Sequence, residues 1–203
     1  MGYSHHAIQD YGLIQLFPNM LIYSPSSALE AELCLKYLVN NPSPSYFRLG
    51  KNGEKDFSSN KQFTLQPGLP RKIFQSTVKN NNSRLAILFT GAIQDIINEF
   101  FLKSAHINID VFSVPIWASS ACLDFEISNY DMVITVEDHL LQGGFNKWIS
   151  EQVPYDMRPK LRHLALDKDI MNSVGSREFL LNKHGLSIND FFNFIKEDNN
   201  RWD

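Results

Sequence analysis

Apolar positions follow two rhythms in the second half of the chain. Leu85–Thr90 is an almost unbroken apolar run that stops at Gly91. Ile93, Ile96, Ile97 and Phe100 follow at the i, i+3, i+4, i+7 spacing of one helix face. Ile109–Val114 reads as a strand that stops at Pro115, and Asp131–Val136 as another, β-branched and apolar. Phe145, Trp148, Ile149 and Val153 mark a second helix face, opened by Gly143 and Gly144. Arg162–Leu166 is a further short strand. Ile188, Phe191, Phe192 and Ile195 form a last helix face, with a cap at Ser187 and Asp190. Continuous apolar strands alternating with amphipathic helices predict a mostly parallel sheet flanked by helices, an α/β fold.

The first fifty residues repeat the pattern in incomplete form. Leu21–Tyr23 is a short strand that ends before Pro25. Ser27 and Glu30 have capping-box spacing, and Ala31, Cys34, Leu35 and Leu38 give the helix face that follows. Ser45–Leu49 is the next strand. Two strands and one clear helix cannot bury their own faces, so this region is expected to be a partial second α/β domain. Between the two regions, residues 51–83 are rich in Asn, Ser, Lys, Gly and Pro, a connecting composition. Short extended pieces are expected in it around Phe63–Leu65 and Ile73–Phe74. The expected organisation is thus residues 1–50, a linker at 51–83, and an α/β domain at 84–203.

Composition narrows the function classes. With 203 residues, 43% hydrophobic and 20% charged, the chain has the balance of a globular protein with a substantial core. A net charge of -3 and the lack of any basic run argue against nucleic acid as a partner. No apolar run approaches the roughly 20 residues that cross a bilayer, and no signal-peptide pattern opens the chain. No membrane association and a cytoplasmic location are expected. Cys34 and Cys122 have neither disulfide-framework nor metal spacing.

Three clusters can carry chemistry. His5 and His6 lie side by side before a helix, where imidazoles can contact hydroxyls or move protons near neutral pH. Read alone, such a pair is more often an exposed accident of a chain end. Arg48 stands at the carboxyl end of a strand, where ligands of parallel α/β sheets gather, and its fork of donors suits phosphate or carboxylate. Glu137, Asp138 and His139 follow another strand. They have no Ser or Cys nucleophile at elbow spacing, which argues against a catalytic acid–histidine pair, and Gly143 and Gly144 are read as permitting close helix-to-strand packing.

The segments GYSHHAIQDYGLIQLFPNM, IYSPSSALEAE and SYFRLGKNGE resemble the latter part of the pyrimidine-binding domain of transketolases. LAILFTGA, IDVFSVP, ITVEDHLLQGGFNKWISE and VGSREFLLNKHGLS resemble the transketolase C-terminal domain. The resemblance runs from Gly2 to about Lys196. It implies ketol transfer: a thiamine-diphosphate cofactor, held with a divalent metal (Mg), carries a two-carbon unit from a ketose phosphate to an aldose. By resemblance His5 contacts substrate oxygens, Arg48 binds substrate phosphate, and His6 has a lesser substrate-binding role. Ser4 replaces the family's usual Thr, and Gln9 stands where Glu is common. The family's metal-binding first domain, and the Glu that activates the cofactor, have no counterpart here. The resemblance therefore implies a partner supplying the N-terminal transketolase portion, a homodimer in the full assembly, and an isolated chain that neither binds thiamine diphosphate nor turns over sugar phosphates. Two other readings share these motifs. One is a non-catalytic accessory or interaction subunit. The other is part of a relative such as a deoxyxylulose-phosphate synthase or the beta subunit of a 2-oxo-acid dehydrogenase.

Overall fold

A computed structural model of the chain describes residues 6–51, 54–58, 62–78, 83–118 and 120–199, with residues 196–199 described by backbone alone. The first region contributes α1 (Asp10–Ile14), β1 (Leu21–Tyr23), α2 (Ala28–Asn40) and β2 (Ser45–Phe47). The remainder contributes β3 (Arg71–Phe74), β4 (Leu85–Thr90), α3 (Gln94–Lys103), β5 (Ile109–Ser113), β6 (Ile116–Trp117), β7 (Met132–Leu140), α4 (Phe145–Gln152), β8 (Leu161–Leu166), α5 (Arg177–Lys183) and α6 (Ile188–Asn199).

The main sheet has the order β3-β5-β4-β7-β8. Its pairs β4–β5, β4–β7 and β7–β8 are parallel, and β3 is an antiparallel edge on β5. All six residues of β4 are buried, so its apolar run has no polar face to show. Alternation sends Leu85, Ile87 and Phe89 to one core, where Ile97, Phe100 and Phe191 cover them. Ala86 and Leu88 go to the other, with Phe112, Val133, Phe145 and Trp148. Among the described residues no helix is long and apolar enough to cross a membrane.

The second core also receives the first region. Tyr11, Ile22, Tyr23 and Cys34 pack there with Trp117. The sequence leaves β1 and β2 as a two-stranded unit; the structure gives them a third strand. β6 pairs antiparallel with β1, Ile22 opposite Trp117 and Tyr23 opposite Ile116, in a sheet of order β2-β1-β6. Those residues lie just past Pro115, where the strand pattern stops, so a separate two-residue strand has no periodicity to announce it.

The polar stretch holds more structure than its composition suggests. The expected extended piece at Ile73–Phe74 is the end of β3, whereas Phe63–Leu65 forms no strand. Arg71 opens β3 with its side chain 3% exposed. Its guanidinium pairs with Glu30 of α2 at 3.0 Å and with Asp56 at 2.8 Å, bonds Ser58, and stacks on Phe63. Glu30 in turn accepts hydrogen bonds from the Ser26 amide, the Ser26 hydroxyl and the Ser113 hydroxyl. The capping-box expectation holds for Ser27, which accepts from the Glu30 amide. Glu30 departs from it by reaching back to Ser26, so one carboxylate caps α2 and ties it to β3 and β5.

Candidate functional site

The carboxyl ends of strands from both sheets converge. Ser24 follows β1, and its carbonyl accepts from the Gly91 amide just past β4. Gly91 has φ +82°, and a Cβ there would sit 3.1 Å from Asp138 Oδ1, 3.2 Å from Ser24 Oγ and 3.2 Å from Tyr11 Oη. Only glycine lets that turn pass so close to three polar groups. Beside it lies a cavity of about 520 Å³, whose walls include His6, Arg48, Lys51, Ala92, Asp138 and Arg177.

Arg48 is the hub of the wall. Its Nε pairs with Asp10 Oδ2 at 3.0 Å. Nη1 donates to Asp138 Oδ1 and to the Tyr11 hydroxyl, the latter at 3.0 Å. Nη2 donates to the carbonyls of His6 at 3.2 Å and Asp138 at 3.3 Å. A guanidinium has five N–H donors, and each has a protein acceptor here. The group also lies 4.8 Å from the centroid of the Tyr11 ring. Asp138 is shared: its other oxygen accepts from Arg177 at 3.3 Å. Burial opposes the Asp138 charge, but Arg48 and Arg177 hold its carboxyl below the ordinary value. Tyr46 donates to Asp10 at 2.8 Å, closing the network. The Tyr11 phenol bonds the Ser24 hydroxyl, and burial pushes its pKa well up, so it stays protonated.

Glu137, Asp138 and His139 lie inside β7, which runs four residues beyond the expected Val136, and all three are buried. The acid-and-histidine run therefore is not a loop after the strand. Glu137 accepts from the amides of Phe145 and Asn146 and from the Asn146 side chain, capping α4. Burial pushes its carboxyl up to about 7, with the Asn146 and Phe145 donors pulling the other way. A Cβ on Gly144 would fall 2.1 Å from the Glu137 carboxylate, so this glycine makes room for the cap. His139 stacks on Tyr11 with centroids 4.8 Å apart, and burial lowers its pKa.

Of the residues singled out in the sequence, His6 and Arg48 come together at the cavity, while His5 lies outside the described residues. Asp10, Tyr11, Asp138 and Arg177 complete the constellation; none of them was read from the sequence as a contact of the site. Asp138 sits in a run that the sequence makes conspicuous. Arg177 has no such signal, since nothing local pairs it with a strand 39 residues away.

No family model matches the chain. Curated proteins do. It is 27% identical over 189 residues to a subunit of the apulose-4-phosphate transketolase of Actinobacillus succinogenes, covering 90% of this chain and 58% of that protein. This is a partial chain of the transketolase type. It is also 31% identical over 193 residues to the 1-deoxy-D-xylulose-5-phosphate synthase of Caldanaerobacter subterraneus, covering 91% of this chain and 29% of that one. Its fold matches a split-gene transketolase solved as an inactive β4 tetramer, with TM-score 0.77 and 20% identity over 97% of this chain and 63% of the other. The chain thus spans little more than half of the transketolase subunit it matches and under a third of the synthase.

Proposed function

We propose that this chain is one section of a thiamine-diphosphate-dependent transferase that moves a two-carbon ketol unit between sugar phosphates, and that it works only with a complementary transketolase section. One observation carries the proposal. The first region contributes to a three-stranded sheet whose edge strand β2, among the described residues, pairs only with β1. The same region leaves Leu13, Leu16, Phe17, Leu35 and Val39 exposed, from 55% to 78%. An open strand edge and exposed apolar side chains in one region are features that a covering partner would bury. The likeness to a protein that is itself one subunit of a transketolase supports a separate partner chain.

In this reading residues 1–50 belong to a pyrimidine-binding-type domain, 51–83 connect, and 84–203 form the C-terminal domain. His6 and Arg48, at the cavity, contact the substrate, and so does His5, which lies outside the described residues. A phosphate arriving at Arg48 has to displace one of five protein acceptors, so Arg48 acts first as the clamp between the two regions. Among the described residues no three His, Cys, Asp or Glu side chains converge as metal ligands. In this reading the complementary section supplies the contacts to the diphosphate and its divalent cation.

The experiment is co-expression with that section, followed by a ketol-transfer assay with a ketose phosphate donor. Activity in the pair and none in either part supports the proposal, and a pair that forms but stays inactive overturns it. The 31% identity to a synthase favours one alternative strongly enough to include it. Formation of 1-deoxy-D-xylulose 5-phosphate by the pair would select that reading.

A further inference from the structure

The cavity carries groups that ketol transfer leaves unused. Its lining includes Ile8, Leu166, Ile170, Leu180 and Leu181, core side chains that give it an apolar floor. Among the described residues, three cations, Arg48, Lys51 and Arg177, and two carboxylates, Glu54 and Asp138, form the ionic part of the wall. The balance is one positive charge. Glu54, whose carboxylate lies against Gly50, is offset by the adjoining Lys51.

The cations are not equivalent. All five donors of Arg48 are taken by the protein, as shown above. Arg177 uses only Nη2, on the Ala92 carbonyl and on Asp138 Oδ2. Its Nε–H and two Nη1–H donors have no acceptor among the described residues, and its side chain is 34% exposed. An anion entering the cavity finds its open donors on Arg177. Of the hydroxyls on the wall, Ser24 bonds Tyr11, and Ser176 accepts from the Phe179 amide. Hydroxyls laid over Leu166, Ile170, Leu180 and Leu181 would lose their water partners, whereas a hydrocarbon loses nothing there.

We propose that this cavity binds a small organic anion with an apolar body. Its phosphate or carboxylate head sits on Arg177, and an unbranched chain of several carbons lies over Leu166, Ile170, Leu180 and Leu181. A volume of about 520 Å³ is within the usual range of small-molecule sites. The site needs neither thiamine diphosphate nor a second section, so it stands or falls apart from the ketol-transfer reading.

The test is calorimetric titration of the full chain with inorganic phosphate, glycerol phosphate, and butyl, pentyl and hexyl phosphates. Affinity should rise about fourfold for each added methylene, the factor for burying one CH₂, and glycerol phosphate should bind no better than inorganic phosphate. Arg177→Met should weaken hexyl phosphate tenfold or more, because charge-assisted bonds are lost, and Arg177→Lys should restore part of that loss. A parallel series of hexanoate, heptanoate and octanoate separates the two head groups: the same slope with weaker binding assigns phosphate, and the reverse order assigns carboxylate. A flat chain-length series overturns the proposal, as does an Arg177→Met variant that binds hexyl phosphate unchanged. Should Arg177→Met fail to fold, the chain-length slope on the unaltered protein still decides.

Discussion

Replacing Arg71 by Met should loosen the first region from the sheet. The substitution keeps much of the side chain's volume and removes only the charge and the donors. It leaves Glu30, 0% exposed, and Asp56, 8% exposed, as buried carboxylates without their cation. Breaking a buried pair in this way costs about 3–5 kcal/mol, because the stranded charge keeps its desolvation penalty. Two facts place this case at the lower end. Glu30 retains three donors from Ser26 and Ser113. Asp56 retains the Ser58 amide, the Ser58 hydroxyl and the Ser27 hydroxyl. The stacking of the guanidinium on Phe63, 3.6 Å from the ring centroid, adds about 1 kcal/mol. A net loss of about 3–4 kcal/mol is a large share of the 5–15 kcal/mol that holds a typical domain. Urea unfolding followed by tryptophan fluorescence should show the midpoint falling by about 1–2 M. Hydrogen exchange should locate the loss in α2 and β1 before β4 and β7. Removing the stranded charges as well, in Glu30→Gln/Asp56→Asn/Arg71→Met, should recover part of the stability. A loss below about 1 kcal/mol for Arg71→Met alone would refute the reasoning, since that is the size of a surface pair.

Other expectations concern separate elements. Gly144→Ala should cost about 1–3 kcal/mol, read by thermal or urea unfolding, because its Cβ expels the Glu137 carboxylate and leaves buried amides unsatisfied. Glu137 titrates near 7 when folded, against an ordinary 4.5, so the unfolded chain gives up this proton first as pH rises. The stability tied to it is full below about pH 4.5 and is lost as pH climbs to about 7. Urea midpoints measured across that window should fall in the unaltered protein relative to Glu137→Gln, and parallel profiles would contradict this. Leu16→Glu and Phe17→Glu change side chains that are 78% and 56% exposed. They should alter the stability of the chain by no more than about 0.5 kcal/mol, yet weaken capture of the complementary section in a pull-down at least tenfold.

Much of the framework was legible because burial on two faces leaves a plain mark. LAILFT matches β4 residue for residue, and Leu21–Tyr23 matches β1. The Ser27 cap and the periodicity after it locate α2. What stayed hidden depends on pairs far apart in the chain. β6 has two residues and exists because Ile116 and Trp117 complete a sheet begun at Ile22 and Tyr23. Arg71 looks like a linker residue until Glu30 and Asp56 are placed around it. The run Glu137, Asp138 and His139 reads as lying past the strand, because acids are rarely buried and the apolar pattern stops at Val136. It is buried because a helix N-terminus, two arginines and a tyrosine ring each take one of the three. For the candidate site, the sequence singled out Arg48 at a strand's carboxyl end. It could not show that five acceptors, drawn from His6, Asp10, Tyr11 and Asp138, would already occupy its donors.

The central claim, that this chain is an incomplete transferase needing a complementary section, is tested most directly by one calorimetric titration. Thiamine diphosphate with Mg²⁺ is titrated into the chain alone, into the complementary transketolase section alone, and into the two mixed. The account predicts saturable binding in the mixture and no binding of micromolar or better affinity by this chain alone. Micromolar binding by the isolated chain would contradict it.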